Sequence, residues 1–230
     1  GQVYDIKQNG SYLFRGTASN ASIRVYQNVS ANVTFSDLAI TNAGDAGGSP
    51  LYIDNGATVE LTLEGVSVLQ GALKHANSIG GRLDMSGGAA AVYLPESAKL
   101  VIKGPGALKA VGGQANACTH GAGGGAGIGT NGSYINGGDF TAGSAAGTLE
   151  IESGTVRAIG GASTERGGGG AGIGGGGCSG ASPAWASASS GGTVTVAGGL
   201  LQARGSGNAS AVGGGGGFEN GDQHRGTMAP

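Results

Sequence analysis

Four acidic side chains stand at spacings that could cleave a sugar chain. Glu150 and Glu152 lie two residues apart, and Glu60 and Glu64 four apart. Glycoside cleavage needs two carboxyl groups converging on one bond, with one of them held protonated as an acid. On an extended strand Glu150 and Glu152 point the same way, with carboxylates about 6 to 7 Å apart, inside the range such enzymes use. A flat outward strand face offers no pocket to keep a general acid protonated. The expectation is therefore that no residue here is catalytic and that the chain is not an enzyme. A polysaccharide lyase or hydrolase built on these carboxylates stays as an alternative.

Other reactive types are scattered. His75, His120 and His224 fall in separate loops, and no serine sits in a Gly-x-Ser-x-Gly elbow. Gly137-Gly138-Asp139-Phe140 touches the text of calcium-binding nonapeptides, but the motif is neither completed nor repeated. The runs 121–129 and 167–177 contain fragments of phosphate loops, yet no Gly-Lys-Ser/Thr ends them. No metal and no cofactor are expected. Cys118 and Cys178 have no second ligand pair at zinc spacing; a disulfide, two thiols and a chance pairing all remain open.

The residues best suited to recognition are aromatic. Trp185 is the only tryptophan, and it stands in a small-residue loop where its ring can stack on a sugar or anchor a protein, or else tuck the loop onto the wall of the coil. Tyr134, Phe140 and Asp139 lie in a neighbouring insertion, and Arg157 points outward from the strand after it. These five form the expected ligand contacts, provided that the two insertions, 131–146 and 178–190, fall on one side. The sequons at Asn20, Asn28, Asn32, Asn131 and Asn208 are read as chance in Ser/Thr-rich text.

The elements that must carry these residues are repeats. Ala126-Gly127-Ile128-Gly129 recurs as Ala171-Gly172-Ile173-Gly174, and the segment from Gly147 to Ala158 recurs from Gly192 to Ala203. Leu51, Val92, Ile128, Ile173 and Val212 anchor successive copies of irregular length, so the variation sits in loops. Within each copy apolar and polar residues alternate, as in Leu149-Glu150-Ile151-Glu152, which is the pattern of half-buried strands.

Three short strands per repeat suit a stacked coil better than a propeller blade, which needs four. The predicted fold is all-β, a right-handed parallel β-helix of about five to six coils. Residues 1–45 would form an aromatic-rich cap and first coil, 46–217 the coils, and 218–230 a linker or end. Stacking about 4.8 Å apart would then give inward ladders Leu100–Leu149–Val194, Ile102–Ile151–Val196 and Ala110–Ala158–Ala203. Outside, Val101, Glu150 and Thr195 should share a column, with Lys103 one rung from Glu152.

Composition narrows the partners. The chain has 230 residues, 54 of them glycine, with 11% charged residues and a formal charge of −2. Nothing in that balance attracts nucleic acid, and no apolar run is long enough to insert into a membrane. The first residues lack the basic and apolar parts of a signal peptide, so the chain reads as a piece of a larger precursor.

Gly10-Ser11-Tyr12-Leu13-Phe14-Arg15-Gly16, Ser49-Pro50-Leu51-Tyr52-Ile53, the repeated Gly-Ala-Gly-Ile-Gly and Gly-Thr-Val-Thr-Val resemble glycine-rich right-handed β-helix modules. These occur in surface proteins of gut Gram-positive bacteria, labelled carbohydrate-binding domain-containing. The resemblance spans nearly the whole chain, although both insertions are longer than that family's text. It implies adhesion or ligand binding outside the cell, on the bacterial surface or secreted. With the loop aromatics, the expected partner is a host glycan or a glycoprotein such as an immunoglobulin. A structural stalk self-associating through the ends of the solenoid is the other alternative.

Overall fold

A computed structural model describes residues 2–42, 48–73, 77–79, 82–84, 87–115, 122–133, 135–136, 139–140, 144–163, 167–178, 180–181, 184–185 and 188–217. Among these residues the chain is all-β, without a helix. Two parallel sheets carry the repeats. The first has seven strands in the order β1 (Gln2–Ile6), β3 (Ala21–Val25), β5 (Leu51–Ile53), β10 (Val92–Tyr93), β13 (Ile128–Gly129), β18 (Ile173–Gly174) and β23 (Val212–Gly213).

The second sheet has ten strands. One wing runs outward from β4 (Ser30–Thr41) through β6 (Thr58–Glu64), β11 (Lys99–Lys103), β16 (Thr148–Ile151) and β21 (Thr193–Val196). The other runs from β4 through β7 (Val66–Gln70), β12 (Ala107–Val111), β17 (Thr155–Ile159) and β22 (Leu200–Arg204), and β2 (Gly10–Ser19) lies beside β4. Strand β4 belongs to both wings because it bends: Asp37, at φ +50°, is an extra residue opposite the junction of Arg15 and Gly16. Its carboxylate accepts the Val66 amide at 2.9 Å. Later repeats turn the same corner at Gly65, Gly104, Gly154 and Gly199, all with positive φ, where a side chain would strain the backbone.

Register follows the repeat text. Leu51, Val92, Ile128, Ile173 and Val212 are successive partners in the first sheet. Leu100–Leu149–Val194, Ile102–Ile151–Val196 and Ala110–Ala158–Ala203 are columns of the second. Because side chains alternate across each strand, these columns point inward and form one apolar core running through the repeats. The last repeat is less covered: Ile151 is fully buried, but Val196 above it is 47% exposed.

Outside, the column Val101, Glu150, Thr195 is present, but the ion pairs differ from expectation. Lys103 reaches back to Glu60 at 2.6 Å rather than toward Glu152, and Lys99 takes Glu150 at 3.1 Å. Glu60 faces Val101 on the adjacent strand. A long lysine spans that diagonal easily, so neighbours along the chain alone do not fix its partner.

Candidate functional site

Between the two sheets the glycine-rich segments pack backbone against backbone. The amides of Gly123, Gly124 and Gly125 donate to the carbonyls of Ser133, Gly168 and Gly113 at 3.4, 3.0 and 3.0 Å. Three consecutive amides thus reach three different segments. In a β-strand they would alternate between two sides; three directions in three residues is the pattern of an extended chain with three residues per turn. The amides of Gly175, Gly177 and Cys178 likewise go to the carbonyls of Gly213, Gly124 and Gly216. No side chain fits between such segments: a Cβ at Gly168 would run into the Gly216 carbonyl, and one at Gly177 into that of Gly168. Thr130 adds a side-chain link, its buried hydroxyl accepting the Gly176 amide at 2.9 Å.

This lattice sets where the insertions begin and end. Ser133, the last residue before 134–143, donates its amide to the Gly177 carbonyl at 2.9 Å, and its hydroxyl donates to the same oxygen at 3.1 Å. Gly177 and Cys178 lead into 179–187. On the return side Ala146 donates to the Ser190 carbonyl at 3.3 Å. The two insertions therefore leave and rejoin side by side.

Within them, β14 (Ile135–Asn136) pairs antiparallel with β15 (Asp139–Phe140), and β19 (Gly180–Ala181) with β20 (Ala184–Trp185). Asp139 lies opposite Asn136, Phe140 opposite Ile135, and Trp185 opposite Gly180. Tyr134 lies outside the described residues.

The edge is larger than the sequence suggests. A third hairpin, β8 (Asn77–Ile79) with β9 (Arg82–Asp84), lies beside β14, and Gly87, which follows it, abuts Gly132 and Ser133. Gly167 packs on Ala122, and Gly168 donates to the Cys178 carbonyl at 3.0 Å, which adds two more segments to this lattice. Arg157 stands apart, in the outward column Lys109–Arg157–Gln202 of the ten-stranded sheet. Cys178 is buried; Cys118, His75, His120 and His224 lie outside the described residues.

A second feature escaped sequence reading. Tyr52 and Tyr93, partners on β5 and β10, stack with ring centroids 4.5 Å apart and planes 18° from parallel. Arg24 lies between Tyr26 and Tyr52, its guanidinium 4.7 and 5.3 Å from their ring centroids, and it binds Asp54 at 2.9 Å. Burial, with Asp54 adding its charge, pushes both Tyr52 and Tyr93 phenols up. The signal was an outward tyrosine at one position of two successive repeats.

The carboxylates do not converge. Glu60 and Glu150 each hold a lysine, and Lys103 holds the Glu60 carboxyl below its ordinary range, chiefly by hydrogen bonding. Among the described residues no three His, Cys, Asp or Glu side chains cluster as metal ligands, and no helix is long and apolar enough to cross a membrane. Compared with known proteins, the chain is matched by no family model, no curated protein and no solved structure.

Proposed function

We propose that the chain is a right-handed parallel β-helix module of a bacterial surface adhesin, in which coils about one strand-spacing apart carry a non-catalytic ligand site on their loops. The observation that carries this reading is the shared stem of the two insertions at Ser133 and Gly177. Its two arms run on into the hairpins that carry Asp139, Phe140 and Trp185, which with Tyr134 are the residues this reading gives to the ligand. Loops held by a rigid scaffold are where binding residues concentrate. The ligand is a host glycan or glycoprotein: aromatic rings with few charges suit sugar faces and protein anchors alike.

The test is a binding screen of the purified chain against mucin glycans and host glycoproteins, immunoglobulins included, alongside Trp185→Ala. Binding that falls at least about tenfold with the substitution, as loss of an aromatic anchor predicts, supports the site. Absence of binding across the panel, or binding indifferent to both Trp185→Ala and Phe140→Ala, refutes it.

A further inference from the structure

The two ends of the stack are unfinished in complementary ways. At the C-terminal end the inward columns stop at Val194, Val196, Leu201, Ala203 and Val212. Their equivalents one repeat earlier, Leu149, Ile151, Val156, Ala158 and Ile173, are all buried, whereas Val212 is 39% exposed and Val196 is 47% exposed. The edges of β21, β22 and β23 have no further strand beside them among the described residues.

At the N-terminal end the same columns begin with different sizes. Val194's column starts at Gly10, Val196's at Tyr12, Leu201's at Gly16, Ala203's at Ala18 and Val212's at Tyr4. Tyr4 packs edge-on against Phe14 at 5.0 Å, and Phe14 against Phe35 at 6.3 Å. Beside these rings lies an open cavity of about 200 Å³, lined by Tyr4, Phe14, Gly16, Ala18, Leu38 and Ile40. It exists because Gly16 and Ala18 put almost no side chain where the next repeat places Leu38 and Ile40.

We infer that copies of this chain stack head to tail, the C-terminal end of one on the N-terminal end of the next. In that arrangement Leu201 enters the cavity at Gly16, Val194 covers Gly10, Val212 meets Tyr4, and both parallel sheets continue across the joint. Leu201 and Val194 each meet a glycine, Ala203 meets Ala18, Val196 and Val212 meet the rings of Tyr12 and Tyr4, and every inward column continues in apolar contact. Open parallel edges favour such addition by main-chain hydrogen bonding, and a heterologous joint of this kind extends rather than closes. This goes beyond the ligand site, since the loop edge takes no part in it.

The experiment is sedimentation velocity on the full chain over a concentration series, with two variants that each block one end. Val196→Lys places a charge on the C-terminal end, at a side chain already partly in solvent; Ala18→Arg fills the N-terminal cavity. Circular dichroism establishes that both variants keep the fold. Wild type should grow from monomer to dimer and longer chains as concentration rises. Each variant alone should remain monomeric, and an equimolar mixture should stop at a one-to-one dimer, because each retains one end of the opposite kind. A wild type that stays monomeric throughout overturns the inference. Variants that still polymerise, or that fail to pair when mixed, overturn it as well.

Discussion

The Gly177 carbonyl accepts both the amide and the hydroxyl of Ser133, at 2.9 and 3.1 Å. One oxygen thus ties the start of one insertion to the start of the other. The two stems are held together at this point by a main-chain bond, with the Ser133 hydroxyl adding a second bond to the same oxygen.

That contact depends on glycine. Gly177→Ala drives a methyl group into the Gly168 carbonyl and should destabilise the fold by about 1–3 kcal/mol or more. Gly10→Ala, whose added carbon would lie an ordinary 3.5 Å from the Tyr12 hydroxyl, should stay within about 0.5 kcal/mol. Denaturant unfolding of the two variants beside wild type measures the difference. Equal stability would mean that the lattice is looser than its hydrogen bonds imply.

Thr130→Val keeps the shape and removes the acceptor for the Gly176 amide, at a residue 1% exposed. A buried amide left without a partner costs about 1–3 kcal/mol. The expected sign is a lower unfolding midpoint for Thr130→Val than for Thr130→Ser, which retains the hydroxyl. Indistinguishable midpoints would show that another acceptor takes over.

The Lys103–Glu60 pair gives a pH dependence of known sign. Glu60 titrates below its ordinary 4.5 and Lys103 above its ordinary 10.5, each chiefly through their mutual hydrogen bond. The Glu60 contribution is present above 4.5 and lost as pH falls through the depressed value; that of Lys103 is present below 10.5 and lost as pH rises through the elevated one. Both groups are exposed, so the effect is small and salt should erase it. Glu60→Gln should flatten the acid limb of melting temperature against pH at low salt; an unchanged limb would show that the pair contributes nothing.

The stacked tyrosines should titrate late. Burial holds the neutral phenols of Tyr52 and Tyr93 in place, raising both above the ordinary 10. Their contribution to stability is complete below that value and lost as pH climbs through the raised ones. Phenolate absorbance across an alkaline titration should show a late component that shrinks in Tyr52→Phe. A single ordinary step for all six tyrosines would contradict the packing of this pair.

The columns were legible in the sequence because inward residues alternate and repeat: Leu149 and Val194 occupy equivalent positions in matching text and are partners in the structure. Lys103 was not, because a flexible side chain chooses between rungs above and below by reach rather than by pattern. The hairpin at 77–84 was missed because Asn77-Ser78-Ile79 has too few alternating residues to announce a strand. The side-by-side stems were left as a condition, since glycine's packing role is to have nothing that varies. Tyr52 and Tyr93 directly follow the anchors Leu51 and Val92, so their column follows once those anchors are aligned.

The glycine lattice has one more consequence. Apart from the hydroxyls of Thr130 and Ser133, its bonds join main-chain atoms, so it holds the ends of each insertion while being blind to the residues between them. An insertion can be rewritten, lengthened or exchanged for that of a neighbour, and the support beneath is unchanged as long as Ser133, Gly168, Gly177 and their partners remain. The same frame can thus present many different surfaces, with variation confined to the loops and constancy to the glycines.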